Sequence, residues 1–221
     1  MKTLYDLKPR FQQRLGPIVR GVAALGTTAN QVTLVACAFS IAIGVVVAAN
    51  AAQRTMLLLI PLACALRMPL NAIDGLLARD FRQRTLLGVY LNELCDVVAD
   101  AALYLPFAFV APFSSWSVGL VVLLAALSEL AGALGPMIGT GRRYDGPLGK
   151  SDRAAVFGAL GLWIGVGLPL TASAAWIMPT VAALMCLTVF NRVRGGIRAA
   201  ERSLESGAAR SVHAAPSRRS L

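Results

Sequence analysis

Long apolar segments separated by short polar breaks dominate this sequence. The breaks contain proline, glycine, serine or charged residues, which interrupt the apolar pattern. Each apolar segment approaches the roughly 20 residues that a helix needs to cross the hydrocarbon core of a membrane. The segments lie near residues 31–50, 55–79, 86–110, 117–139, 154–171 and 173–191. The pattern therefore predicts an all-α integral membrane protein with about six transmembrane helices.

The N-terminal residues follow a different, amphipathic pattern. Apolar side chains recur there at helical intervals, at Leu4, Leu7, Phe11, Leu15, Ile18 and Val22. Basic residues take the other faces, which is typical of an interfacial helix that lies along the membrane surface. A lead-in without fixed structure is the alternative. The chain is thus predicted to contain a cytoplasmic amphipathic juxtamembrane segment (1–25), a six-helix transmembrane domain (26–195) and a disordered basic cytoplasmic tail (196–221).

Composition and charge agree with a membrane protein and exclude a water-soluble domain. Hydrophobic residues make up 57% of the chain and charged residues 14%, with a formal net charge of +10. The basic residues concentrate at the ends and in the breaks near 80–85 and 139–153, so the positive-inside rule predicts that both termini are cytoplasmic, in the cell (inner) membrane. Their position favours anionic membrane lipids as partners. Basic and aromatic residues are not interleaved, so no nucleic-acid partner is predicted.

Polar residues interrupt the second and third apolar segments, where a charged side chain costs several kcal/mol by insertion scales. Helical spacing places the polar residues of each segment on one face together with small residues. The residues that share a face are Asn71, Asp74 and Ala78 on the second segment and Gly88, Asn92, Asp96 and Asp100 on the third. The break between the segments is short, so the two faces should meet in an oxygen-lined pocket near the cytoplasmic surface. Such a pocket suits Mg²⁺ or Mn²⁺.

The spacing of this stretch resembles the signature of the CDP-alcohol phosphotransferase family, D-x-x-D-G-x-x-A-R, eight residues, G-x-x-x-D-x-x-x-D. Six positions match in type and spacing: Asp74, Gly75, Ala78, Arg79, Gly88 and Asp96. Asn71 and Asn92 stand at the first and third acidic positions, which in the family help to bind metal. Near the start of the first segment, Asn30 and Thr33 resemble the family's P-N-x-x-T element, with Ala29 in place of the proline.

The resemblance implies a metal-dependent enzyme of phospholipid biosynthesis. It would transfer a phosphatidyl group from CDP-diacylglycerol to a small alcohol and release CMP, with 26–195 as the catalytic domain. The resemblance also implies a homodimer. It makes Asp96 the catalytic base and a metal ligand, Asp74 the principal metal ligand, and Asn71 and Asn92 ligands through their amide oxygens. It assigns nucleotide binding to Gly75, Ala78, Arg79 and Gly88. The alternatives are helix packing for the two glycines and Ala78, and a membrane-boundary role for Arg79.

The polar loop at 139–153 is a candidate acceptor-binding or phosphate-binding site. Four basic residues cluster there where a helix begins: Arg142, Arg143, Lys150 and Arg153. The G-K-x-x-R portion at 149–153 is similar to a segment that family members use near the acceptor or phosphate pocket. If the site is real, it indicates an acceptor that carries phosphate, such as glycerol 3-phosphate. A plain basic cytoplasmic loop is the alternative.

Further intramembrane charges need partners. In an antiparallel helix pair Arg67 falls level with Asp100, so we predict an ion pair between them. Glu93 and Asp100 are also candidates to compensate for the two amides. Glu129 has no partner that the sequence identifies.

Two other functions remain open at this point. Asn71 and Asn92 motivate a catalytically degenerate family member that acts as a lipid-binding or scaffolding membrane protein. A transporter with an acidic relay is the other possibility, because acidic residues line ion pathways in membranes. The sequence identifies neither the acceptor alcohol nor the lipid chains.

Overall fold

The structure is a computed structural model that describes the backbone of residues 4–214 and the side chains of residues 11–206. Within this part of the chain the regular structure is helical, as predicted. The α-helices are α1 (Leu4–Ala24), α2 (Ala29–Ala49), α3 (Leu59–Asp80), α4 (Leu86–Tyr104), α5 (Ser115–Ala133), α6 (Lys150–Gly165) and α7 (Ile177–Ala214). Short 3₁₀ helices precede α3 and α7 and follow α4 and α5.

Each predicted apolar segment coincides with one of the helices from α2 to α7. Among the described residues, four helical segments are long and apolar enough to cross a membrane: Ala29–Ala49, Arg54–Asp80, Ser115–Ile138 and Ala172–Ser206. The crossing of α4 and α6 stays a prediction. α4 contains three acidic residues, and α6 has only 16 residues.

The last helix is longer than the segment predicted from hydropathy. α7 continues as a helix to Ala214, whereas the sequence predicted a disordered tail from residue 196. Residues 196–206 are rich in Arg, Ala, Glu and Leu, which have high helix propensity and can extend a helix that packing has already nucleated. The remainder of the predicted tail, 215–221, lies outside the described residues.

The amphipathic N-terminal segment forms α1, in agreement with its helical spacing. Leu15 and Val19 are buried in a small apolar cluster with Ile73 and Leu77 of α3. Ile18, which the spacing placed on the apolar face, is 53% exposed. The helix is therefore docked on the half of α3 that carries the polar stretch, and its position along the membrane surface stays a prediction.

The bundle places apolar side chains outside and charged side chains inside, as a protein surrounded by lipid requires. Leucine, valine and aromatic side chains are exposed along α2 to α7. The charged residues buried in the interior are Arg67, Asp74, Asp100, Glu129, Arg153 and Arg192. About one turn beyond Asp100 on α4 and Arg153 on α6, Tyr104 stacks on Phe157 at 3.9 Å between ring centroids. This apolar contact holds together helices that also contribute to the candidate site.

Candidate functional site

A cavity of about 330 Å³ lies where the start of α2, the end of α3 and the start of α4 meet. Both helix starts are fixed by their own side chains. The Thr28 hydroxyl accepts a hydrogen bond from the backbone N–H of Gln31, and the Thr85 hydroxyl accepts one from that of Gly88. The cavity is lined by Ala29, Asn30, Thr33, Asp74, Gly75, Ala78, Arg79, Gln83, Arg84, Thr85, Gly88, Val89, Asn92 and Glu93. The structure thus brings together most of the predicted motif.

Asp74 is the buried carboxylate of this cavity, with 6% of its surface exposed. The Thr33 hydroxyl donates a 2.8 Å hydrogen bond to Asp74 Oδ2. This bond joins α2 to α3, and it gives a role to Thr33 of the element that resembles P-N-x-x-T. The hydrogen bond restricts the orientation of the Asp74 carboxylate at the cavity wall.

The two motif glycines serve different purposes. A Cβ atom added to Gly75 would meet no protein atom within 4 Å, although Gly75 lines the cavity. Helix packing therefore does not explain Gly75, and its missing side chain leaves space in the cavity. A Cβ atom on Gly88 would lie 2.6 Å from Asn30 Oδ1 and 3.0 Å from Thr85 Oγ1. Gly88 thus permits the close approach of α4 to the start of α2.

Sequence reasoning missed several side chains at the cavity rim. Gln83 Oε1 accepts a 2.8 Å hydrogen bond from the backbone N–H of Ala29, so the turn after α3 is tied to the start of α2. Asn30 Nδ2 donates to Thr85 Oγ1 at 3.2 Å. Gln83 and Thr85 fall within the eight unspecified residues of the motif. Their polarity in a short turn between two apolar helices was the available signal.

Asp96 is a motif residue that does not line the cavity. Its carboxylate is held by basic side chains from two other helices. Lys150 Nζ, at the start of α6, lies 2.5 Å from Asp96 Oδ2, and Arg67 Nη2 lies 3.6 Å from Asp96 Oδ1. Asn71 is half-buried and is also not among the lining residues, whereas Asn92 lines the cavity and is exposed.

The predicted ion pair between Arg67 and Asp100 is confirmed. Arg67 Nη1 donates a 2.8 Å hydrogen bond to Asp100 Oδ1, and both side chains are buried. Arg153, which is completely buried, approaches the other oxygen of Asp100 at 3.0 Å. Arg67 therefore bridges Asp96 and Asp100, one turn apart on α4.

Glu129 has the partners that the sequence did not reveal. Its carboxylate lies 2.8 Å from Arg142 Nη2, 2.9 Å from Arg153 Nη2 and 3.5 Å from Arg192 Nη1. These three arginines come from the loop after α5, from α6 and from α7. Glu129 thus joins three parts of the bundle that are far apart in the sequence.

All four of the predicted phosphate-binding residues are paired with acidic side chains of the protein itself, since Lys150 also contacts Asp96. Arg142 pairs with Glu93 as well as Glu129, and Arg143 donates hydrogen bonds of 2.8 and 2.9 Å to Asp145. The hydrogen bonds from Arg143 lower the pKa of Asp145 below its ordinary value. Arg153 has no exposed surface, so the predicted anion site is accessible only at Lys150, Arg142 and Arg143.

The donor set can be compared with the needs of a divalent cation. Between residues 11 and 206, where side chains are described, no group of three or more His, Cys, Asp or Glu side chains is arranged to hold a metal ion. The motif contributes carboxylates from Asp74 and Asp96 and amide oxygens from Asn71 and Asn92. These are hard oxygen ligands, and they fit Mg²⁺ or Mn²⁺ with less negative charge than four carboxylates would supply.

Comparisons with known proteins agree with this architecture. No model of a known protein family matches the sequence. The fold is similar to crystal structures of the phosphatidylinositol phosphate synthase PgsA1 of Mycobacterium tuberculosis, with a TM-score of 0.68, 19% identity and coverage of 81% of this chain. One of those structures contains bound CDP-DAG and is covered to 92%; another contains manganese and citrate and is covered to 87%.

A closer likeness in sequence exists to the inner membrane protein YnbA of Escherichia coli (strain K12). The two are 44% identical over 164 residues, which is 74% of this chain and 81% of YnbA. At that identity and coverage the chain belongs to the same protein family as YnbA.

Proposed function

We propose that this chain is a CDP-alcohol phosphotransferase that transfers a phosphatidyl group from CDP-diacylglycerol to an alcohol and releases CMP. One observation carries the proposal: Asp74, Gly75, Ala78, Arg79 and Gly88 of the motif all line a single cavity. The shared fold with a synthase that was crystallised with CDP-DAG supports it. The empty space beside Gly75 supports a ligand there rather than a helix contact.

Each residue has a proposed role in the transfer. Asp74, with Asn71 and Asn92, would hold a divalent cation, which when bound neutralises charge on the diphosphate. Gly75, Ala78 and Gly88 would leave room for the nucleotide, and Arg79 would contact its phosphates. The acceptor oxygen forms a bond to phosphorus while the bond from phosphorus to the CMP oxygen breaks. Asp96 accepts the proton of the acceptor hydroxyl, and CMP leaves with the bonding electron pair.

The basic side chains beside Asp96 favour an acceptor with a negative charge. Lys150, with 32% of its side chain exposed, and Arg142, with 25% exposed, are the accessible cations near this carboxylate and the neighbouring Glu93. An acceptor phosphate, as in glycerol 3-phosphate, would be attracted to them. Arg153 is fully buried and would contribute by positioning Asp100 and Glu129.

We further propose that helices α2 to α7 all cross the inner membrane, with both termini in the cytoplasm and with a homodimer as the assembly. The acidic residues of α4 are compatible with a crossing because basic residues of α3, α6 and the loop after α5 pair with them. The name of the related protein YnbA supports the inner membrane as the location.

The alternative is a degenerate member of the fold that binds lipid without catalysis. The amides Asn71 and Asn92 favour it, because they remove two negative charges from the proposed cation site. Measured CMP release separates the two functions.

The test is CMP release by the purified protein in detergent with Mn²⁺ and CDP-diacylglycerol, across alcohols that include glycerol 3-phosphate, serine and inositol phosphate. We expect release that requires one alcohol and falls at least about a hundredfold in Asp96→Asn, in line with the loss of an acid–base group. Gly75→Ala should fold normally but release CMP more slowly, because the new methyl group enters the cavity.

Asp80→Asn is the matched control, since Asp80 ends α3 but does not line the cavity. It should keep full activity. Absence of CMP release with every alcohol in the panel would contradict the proposal in favour of the degenerate function.

A further inference from the structure

We propose that the cavity binds a single divalent cation at Asp74 and Asn92, and that the Lys150 ammonium group occupies the side of Asp96 that would otherwise ligate metal. The inference deepens the proposed function and rests on it for the presence of a cation. It removes Asn71 and Asp96 from the predicted set of metal ligands, because neither lines the cavity, and leaves Asp96 as the base.

The two motif carboxylates, Asp74 and Asp96, lie in different surroundings. Asp74 and Asn92 line the same cavity, and Asp74 is buried with one oxygen fixed by Thr33. Asp96 is outside that set of lining residues. A cation at the Asp74 carboxylate would share the cavity with the Asn92 amide, whereas the Asp96 carboxylate is not part of the cavity lining.

The Asp96 carboxylate is already paired with basic side chains. Lys150 contacts Asp96 Oδ2 at 2.5 Å, and Arg67 approaches Oδ1 at 3.6 Å. Both carboxylate oxygens thus face positive groups of the protein itself. A divalent cation at Asp96 would have to displace Lys150 and would then lie beside Arg67, so repulsion disfavours it.

The remaining acidic residues cannot make up the missing charge. Glu93 lines the cavity, but its carboxylate is paired with Arg142. Asp100 is shared between Arg67 and Arg153. Both residues that sequence reasoning offered as compensation for the two amides are therefore already neutralised. Cation affinity increases with the number of charged ligands, so this site should hold one ion, and hold it weakly.

Mn²⁺ binding to the purified, chelator-treated protein tests the inference without any activity measurement. The free Mn²⁺ signal in electron paramagnetic resonance gives both stoichiometry and affinity. We expect one ion per chain, loss of binding in Asp74→Asn, and affinity within about threefold of the original in Asp96→Asn. Asn92→Asp adds a charged ligand on an exposed position, and we expect it to tighten binding by about tenfold.

Two ions per chain would overturn the inference, as would no detectable binding, or a loss in Asp96→Asn as large as in Asp74→Asn. Thermal unfolding of each metal-free variant identifies any variant that fails to fold. If Asp74→Asn fails to fold, the affinity of Asn92→Asp still tests the inference. CMP release from the same preparations is scored separately. One bound ion without CMP release would support this inference and contradict the proposed function. CMP release in the presence of a chelator, without bound metal, would contradict this inference and support the proposed function.

Discussion

At the residue scale, the partners of the buried carboxylates decide what each one can do. Asp74 receives a hydroxyl hydrogen bond and faces a cavity, whereas Glu129 is surrounded by three arginines. A carboxylate without a salt-bridge partner in its surroundings is available to a ligand. One that is fully paired joins helices together, and its removal leaves buried positive charge unpaired.

Glu129→Gln should therefore destabilise the protein strongly. Arg142, Arg153 and Arg192 would lose their shared counter-ion, and the free energy of unfolding should fall by about 3 kcal/mol, as is typical when one partner of a buried ion pair is removed. The measurement is the thermal unfolding midpoint in detergent.

Glu93→Gln is the matched control, since Glu93 also pairs with Arg142 but keeps 32% of its side chain exposed. Glu93→Gln should lower the free energy of unfolding by less than about 1 kcal/mol. Equal effects of the two changes would contradict the structural role assigned to Glu129.

The pair of Arg143 and Asp145, in the loop before α6, gives a prediction for pH. The pKa of Asp145 is lowered in the folded protein by the hydrogen bonds from Arg143. A lowered folded-state pKa stabilises the protein above the ordinary value of about 3.9, and this stabilisation is lost as the pH falls through the folded-state pKa.

Asp145→Asn should therefore lower the free energy of unfolding near pH 7 by no more than about 1 kcal/mol, because the pair is partly exposed. The thermal unfolding midpoint should fall slightly. The difference between the original protein and the variant should shrink as the pH falls below the ordinary value of about 3.9, because the Asp145 carboxylate then becomes protonated. Arg143→Gln should remove the same pH-dependent difference. A difference that stays constant from pH 7 to pH 3 would argue against the pair.

At the scale of the helix, close contacts at small residues set the geometry of the site. A Cβ atom on Gly44 of α2 would lie 2.1 Å from the backbone oxygen of Ala102 on α4. Backbone cannot yield as a flexible side chain can. The contact therefore fixes the distance between α2 and α4, whose starts form two walls of the cavity.

Gly44→Ala should separate α2 from α4 and lower the free energy of unfolding by about 1–3 kcal/mol, as overpacking does. Gly119→Ala on α5 is the matched control, because its new methyl group meets no atom within 4 Å. Thermal unfolding of both variants gives the comparison. The contact would lose its assigned importance if Gly44→Ala were as stable as Gly119→Ala.

At the scale of the whole molecule, the proposed crossing of α4 and α6 determines which loops share a side of the membrane. Six crossings place the α4–α5 connection outside and the loop before α6 in the cytoplasm. If only the four most apolar segments crossed, the α4–α5 connection would be cytoplasmic and the loop before α6 would lie outside. The site requires the first arrangement, because Lys150 at the start of α6 lies beside Asp96.

A single cysteine at Ser114 distinguishes these topologies. In a background with Cys37, Cys64, Cys95 and Cys186 replaced by alanine, we expect Ser114→Cys to react with an impermeant maleimide in intact cells. Gln53→Cys is the control, since it should be reactive in either topology. Labelling of Ser114→Cys only after permeabilisation would contradict the crossing of α4.

Much of the helical architecture could be predicted, because hydropathy and helical spacing are local properties. The six apolar segments form helices, and the ion pair between Arg67 and Asp100 followed from the antiparallel geometry of α3 and α4. The end of α7 could not be predicted from apolar residues, since its last turns are polar but helix-forming. The partners of Glu129 could not be predicted either, because the three arginines come from three later parts of the chain.

The sequence by itself determined that this is a helical membrane protein with a motif of oxygen ligands and small residues, because composition and spacing are enough to establish both. Only the tertiary structure decided which members of the motif share a cavity and which basic residues serve as counter-ions. Asp74 and Asp96 look alike in the sequence, yet one meets Thr33 and open space while the other meets Lys150. The reason is physical: what a carboxylate can bind depends on the charges and space around it, and those neighbours come from helices that only folding brings together.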